Sequence, residues 1–326
     1  MSTKTAMSNQ PNSKSINGKN LVLLNKSATL KKIKKHWQLH LLIFIPLVFL
    51  ITFKYVPMAG VVIAFKDYSV VKGIAGSDWV GLKYFEYFFN SPNFALLIKN
   101  TLGLSIYGLI VGFICPIILA LALNEVQNAR FKKFAQTLTY APYFISTVIM
   151  VSIIILFLSP SAGLLNNILG LFGIEANNFL GNPSYFKSIY VWSDVWQNAG
   201  YATIIYLAAL AGVDTQLYEA AKVDGANRLQ KIINVDIPGI LPIIIVLLIL
   251  NIGTIMSLGF EKIYLLQNPL NINSSEVIST YVYKIGLLGA NFSFASAVGL
   301  FNSIVNFILI ISANTISKKF SSSSLW

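Results

Sequence analysis

The sequence predicts an all-α polytopic membrane protein with six transmembrane helices and both termini in the cytoplasm. Three observations support this. Of its 326 residues 55% are hydrophobic and only 11% charged, with a mean hydropathy of +0.67, far too apolar for an ordinary soluble domain. Single apolar runs reach the roughly 18 to 20 residues that a helix needs to cross a bilayer. Basic residues also alternate between the ends of those runs, as they do where loops rich in Lys and Arg are retained in the cytoplasm.

Residues 1–35 are rich in Lys, Ser, Asn and Thr without apolar periodicity, and they read as a disordered cytoplasmic tail whose charges can lie on anionic lipid headgroups. Residues 36–326 form the membrane domain. The first apolar run, Leu39 to Phe53, has the length of a signal-peptide core, but no small-residue cleavage site follows, so an uncleaved first helix is expected. Val61 to Asn93 mixes aromatic, Gly and charged residues and reads as an outside loop with short interfacial pieces. A second span covers Ala95 to Leu123, with a kink expected at Pro116. Arg130, Lys132 and Lys133 return the chain to the inside. A third span is expected over Phe134 to Leu158, a fourth from Ile189 to Ala211, a fifth from Leu241 to Leu258 and a sixth from Phe292 to Ile316. Inner segments then hold Lys4, Lys14, Lys19, Lys26, Lys31, Lys32, Lys34, Lys35, Arg130, Lys132, Lys133, Lys222, Arg228, Lys231, Lys318 and Lys319; outer segments hold half as many basic residues.

Several function classes drop out. The formal net charge of +12 is concentrated at these inner segments, which argues for topology rather than nucleic-acid binding. Cys115 stands alone in an apolar run, so there is neither a disulfide framework nor a cysteine metal site. His36 and His40, at the start of the first helix, suit an interfacial location better than a metal. No cofactor is expected. The sequence carries no phosphate-binding loop of the form Gly-x-x-x-x-Gly-Lys-Ser/Thr, so any ATP hydrolysis has to come from a separate subunit.

Between the fourth and fifth spans lies a polar, helix-forming island, residues 213–240. Asp214 and Thr215 can cap a short helix in which Leu217, Ala220 and Ala221 form a small apolar face. Asp224 and Gly225 supply a turn, and Leu229, Ile232 and Ile233 give a second helix its own stripe before Pro238 ends it. Adjacent alanines allow a partner surface to come close, and Glu219 offers a charge to a basic partner. Glu219, Ala220 and Ala221, then Asp224, Gly225 and Ala226, then Ile237 and Pro238 at fixed spacing resemble the EAA motif of ABC importer permeases, in the form similar to the maltose-transporter permease family. The resemblance runs from about Val80 to the C-terminus and looks closest to permeases for complex-sugar or polysaccharide-derived oligosaccharide uptake. It implies the type I ABC importer permease fold and coupling helices that sit in a cleft of the ATPase subunit. The partners it implies are a second permease subunit, two ABC ATPase subunits and an external solute-binding protein, in a bacterial cell membrane. Ile232 stands where the family usually has Phe, which keeps an apolar anchor for docking.

In the fourth span Asp194, Gln197, Asn198 and Tyr201 fall at i, i+3, i+4 and i+7, on one helical face. An acid at mid-bilayer costs roughly 2.5 to 3.5 kcal/mol on insertion scales, so this face is expected to look into a cavity or the bundle interior. Asn251 and Thr254 share a face of the fifth span at similar depth. Amides, a carboxylate, Tyr201 and the nearby Trp196 offer the hydrogen bonds and aromatic surfaces that sugars need. The resemblance independently implies sugar contacts from the same two helices. Interhelical hydrogen bonds are the alternative use of such residues. Glu261 and Lys262, just beyond the fifth span, read as mouth residues, a gate contact or a solvated pair.

Taken together these readings imply the transmembrane subunit of an ABC importer for an oligosaccharide. An ion-coupled secondary transporter is the alternative; it predicts uptake that follows an ion gradient without an ATPase partner, and the sequence displays no embedded carboxylate pair, broken helix or internal repeat in its favour. A receptor or structural membrane protein would explain the hydropathy but not the island.

Overall fold

A computed structural model describes residues 35–320, and its elements are almost all helices. Apart from Lys35, the expected basic tail lies outside the described residues. The described residues fall into two compact units that divide between Gly60 and Val61. In the first unit α1 (Trp37–Leu50) is apolar and exposed all round, as a lipid-facing helix is. Neither Lys54 nor Pro57 stops it. A π turn, Ile51–Tyr55, intervenes, in which the Val56 N–H reaches back to the Ile51 carbonyl. A change of register leaves one carbonyl without its regular donor in any case, so a proline just beyond it removes little more.

The second unit opens on a two-residue hairpin, β1 (Lys66–Asp67) against β2 (Asp78–Trp79), with Asp67 opposite Asp78. Lys72 at 2.9 Å from Asp78 and Lys83 at 3.8 Å from Asp67 offset the like charges. After α2 (Lys83–Phe89), α3 (Phe94–Glu125) runs as one helix through Pro116.

The expected third span is not one helix. It forms α4 (Ala129–Tyr140), a 3₁₀ turn over Ala141–Phe144, and α5 (Thr147–Phe157), with a bend of 100° between the two arms. The break is built from Pro142 in the 3₁₀ turn, Ile145 and Ser146 in extended conformation, and the Ser146 hydroxyl accepting the Ile149 N–H to start a new helix. A short helix, α6 (Leu164–Leu171), precedes α7 (Pro183–Ala211), which is capped by the Asn182 side chain and starts with Pro183. α7 is long enough to span, but its polar residues keep it out of the four helices that are both long and apolar enough. Those four are residues 37–65, 94–125, 228–253 and 292–319, and the bent α4–α5 pair makes five if it counts as one span.

The island forms α8 (Thr215–Val223) and a single turn, α9 (Arg228–Lys231). Pro238 does not end the second helix. α9 continues through a π turn, Ile232–Asp236, into α10 (Ile237–Gly253), so the fifth span begins at Arg228 and stops at Gly253, short of Leu258. Again a π turn stands just ahead of the proline. Beyond α10, α11 (Phe260–Leu266) and α12 (Ile278–Tyr283) lead to α13 (Phe292–Phe320), the sixth expected span.

Three apolar clusters fix these helices around the site. Leu104 of α3, Phe186, Tyr190 and Val191 of α7, Met150 and Val151 of α5 and Ile263 of α11 form one. Phe88, Leu97, Ile278, Phe294 and Val298 join α2, α3, α12 and α13. Ala120 and Leu121, Tyr206 and Leu210, and Ile240 join α3, α7 and α10 next to the island. Gly200 lets α7 touch α4, because a Cβ there would overlap the Thr139 carbonyl.

Candidate functional site

The island and a polar cavity are the two places where chemistry collects. In the island the Asp214 side chain caps α8 by accepting the Gln216 N–H at 2.9 Å, as expected from sequence. The helix ends in a Schellman turn: Gly225, at φ +71°, gives its N–H to Lys222 and Ala226 gives its own to Ala221. Asn227 and Gln230 then exchange side-chain to backbone bonds at 2.9 and 2.8 Å, a capping box that starts α9. The Asn-x-x-Gln spacing is the local sequence signal for this helix start, one outside the expectations from sequence. Glu219 and Ala220 are exposed, and Glu219 has no ion-pair partner among the described residues. Leu217, Val223, Leu229 and Ile233 leave apolar surface exposed beside them. Ile232 is half-buried and packs one side against the cluster of Ala120, Tyr206 and Ile240.

Beneath the island a polar network ties it to the end of α3. Asp236 is fully buried; the Tyr218 hydroxyl donates to its Oδ1 at 2.5 Å and the Asn124 amide at 3.5 Å. Lys231 pairs with Glu125 at 2.6 Å. Burial first, then the hydrogen bond to the Asp236 carboxylate, pushes the Tyr218 phenol above the ordinary tyrosine range, so it stays a donor at neutral pH. No local pattern marks this network in the sequence, because its members come from α3, α8, α9 and the π turn.

The cavity brings together much of the expected polar set. Asp194 and Asn198 of α7, with Asn251 and Thr254 at the end of α10, line one space of about 440 Å³ along with Ser105 and Ser257. A second space of about 460 Å³ adjoins it, lined by Tyr143, Ser146, Gln197, Glu261 and Lys262. Tyr190, Asp194, Asn198 and Gly259 line both.

Within the set, the two uses weighed from sequence divide. Gln197 is buried and donates to the Ile145 carbonyl at 2.8 Å, holding the α4–α5 break against α7, an interhelical bond. Tyr201 stacks on Tyr143 with ring centroids 3.9 Å apart and lines neither space. Asn198 donates to Asp194 one turn away at 3.0 Å, and Asn251 donates to its own Leu247 carbonyl at 2.8 Å. Thr254, at the C-cap of α10, donates to the Asn251 carbonyl. Each therefore keeps free hydrogen-bonding capacity toward the cavity. Lys262 is not paired with Glu261; it reaches Asp194 at 3.4 Å.

Residues 108–322 match the family described as binding-protein-dependent transport system inner membrane component. The chain belongs to this family. Its members are membrane components of importers, so this chain is a multi-pass permease subunit and not an enzyme. It is 49% identical over 288 residues, 88% of this chain and 90% of the relative, to the polygalacturonan/rhamnogalacturonan transport system permease protein YteP of Bacillus subtilis (strain 168). It superposes with a TM-score of 0.83 at 40% identity, over 90% of this chain and all of the other, on a chain of a bacterial ABC transporter involved in the import of the acidic polysaccharide alginate. The same score and identity hold for a bacterial alginate ABC transporter in complex with an alginate pentasaccharide-bound periplasmic protein, of whose chain 99% is covered. The type I ABC importer permease fold expected from the island is thus the fold of the chain, and membership of this family sets aside the ion-coupled alternative.

Proposed function

We propose that this permease passes an oligosaccharide derived from a complex polysaccharide, using α7 and α10 as the walls of the path and residues 213–240 as the ATPase-coupling segment. What carries the reading is that the island joins α7 to α10, the two helices whose Asp194, Asn198, Asn251 and Thr254 face one cavity. A partner ATPase seated against Glu219, Ala220, Ala221, Asp224, Gly225 and Ala226 has a short mechanical route to both walls. Pro238 and the π turn before it are the joint on the α10 side. The chain pairs with a second permease subunit and two ATPase subunits, and an external binding protein delivers the sugar. YteP and the alginate importers, which handle polysaccharide-derived substrates, support the substrate class.

Glu219→Lys tests the coupling assignment. It inverts an exposed charge that no ion pair among the described residues uses, so the fold should survive. Co-purification of the ATPase and sugar uptake are both expected to fall by about tenfold, the equivalent of one lost charge-assisted contact. Undiminished ATPase recovery together with normal uptake would show that the island is not the docking surface.

A further inference from the structure

Among the described residues Lys262 is the most deeply buried cation that lines a cavity, with its side chain only 6% exposed. An ammonium group has three N–H donors. Here one of them makes a single long hydrogen bond, 3.4 Å to Asp194 Oδ1, and the charge lies 5.1 Å from the centre of the Tyr190 ring. The other donors have no acceptor among the described residues. Burying a charge is costly unless it is paired and hydrogen-bonded, and this one is only partly so.

Its counter-ion is differently placed. The Asp194 side chain is 44% exposed, lines both spaces, and already accepts the Asn198 amide at 3.0 Å. Asp194 can turn to water or to Asn198 at little cost, whereas Lys262 cannot leave its pocket. Glu261, also on the wall, is exposed, so solvent screens it more than Lys262 is screened. The arrangement is a fixed cation with an exchangeable carboxylate.

We infer that Lys262 is a specificity residue that receives a carboxylate of the passing sugar, with Asp194 giving way to it, so that the substrate class is an oligosaccharide containing uronic acid. Neutral sugars meet the amides of Asn198 and Asn251 but leave the Asp194–Lys262 pair closed. The inference rests on the oligosaccharide reading above and adds the charge of the cargo to it.

The test is equilibrium binding of radiolabelled trigalacturonate, and of its fully methyl-esterified form, to the permease co-purified with its partner subunits in lipid nanodiscs. The ester keeps size and hydroxyls and removes the charge. The wild type should prefer the acid by about tenfold, the cost of one charge-assisted hydrogen bond. Lys262→Gln should lower binding of the acid about tenfold more than binding of the ester and so remove the preference, and Lys262→Arg should restore it. Asp194→Asn should widen the preference, because it removes the competing carboxylate; a purely structural ion pair would make both single changes act in the same direction. Equal loss of both sugars in Lys262→Gln, or an unchanged preference, overturns the inference but leaves the oligosaccharide reading standing. If the wild type binds neither form, both are overturned.

Discussion

Tyr218 shows how much one hydroxyl carries at the base of the island. It supplies the short bond to a fully buried carboxylate, and Tyr218→Phe would leave Asp236 with only the long contact to Asn124. The expected loss is about 1–3 kcal/mol, the penalty for orphaning a buried acceptor, seen as a lower unfolding temperature of the purified protein. The same bond sets a pH dependence. Since the phenol is shifted upward on folding, its contribution is whole below the ordinary tyrosine value near 10 and is lost as pH climbs toward the raised one. Unfolding followed between neutral and strongly alkaline pH should show that slope in the wild type, and a shallower one in Tyr218→Phe. At this scale the sequence was most legible where a residue acts on its neighbours. The Asp214 cap and the Gly225 turn follow from two or three adjacent positions. Asp236 and Lys262 were not legible, because their partners lie far off in the chain: Lys262 meets an aspartate 68 residues away, and a lysine beyond the end of a span otherwise looks solvated.

Whole helices were read well where hydropathy is continuous and poorly where it hides a break. α3 and α13 were bounded to within a few residues, whereas the α4–α5 bend lies in a stretch whose average hydropathy is that of a span. Pro142 and Ser146 mark it, yet proline alone was an ambiguous sign, since Pro116 lies inside an unbroken helix and Pro57 and Pro238 follow π turns. What decides is whether the next residues go extended and recap, as Ile145 and Ser146 do. The bent arm is held to α7 at Gly200, where the Thr139 carbonyl occupies the space of a Cβ. Gly200→Val should therefore push α4 from α7 and lower stability by about 1–3 kcal/mol, the usual range for overpacking. Gly299→Ala on α13 is the control: nothing lies within reach of its new methyl, so it should be neutral or raise stability by up to about 1 kcal/mol through helix propensity. Thermal unfolding of the two variants in the same detergent gives the comparison.

Across the whole molecule, the island and the cavity are two stations on one continuous piece of chain. α7 leads through the short turn of residues 212–214 into α8, and α9 passes without interruption into α10, so a displacement at the island has a continuous helical route to the α10 wall and a three-residue joint to the α7 wall. The π turn at Ile232–Asp236 is the only departure from α geometry between Arg228 and Gly253, and it is also where the buried Asp236 network anchors the segment to α3. This connectivity predicts that the two stations fail separately. Asn251→Leu removes an amide from the cavity, at a position exposed on α10 and bonded only to its own helix, and should reduce uptake by about tenfold while the ATPase still co-purifies. Glu219→Lys should lose both. Measuring uptake and ATPase recovery on the two variants side by side decides the matter: if Asn251→Leu also released the ATPase, the cavity and the docking surface would be one structural unit rather than two sites joined by helices.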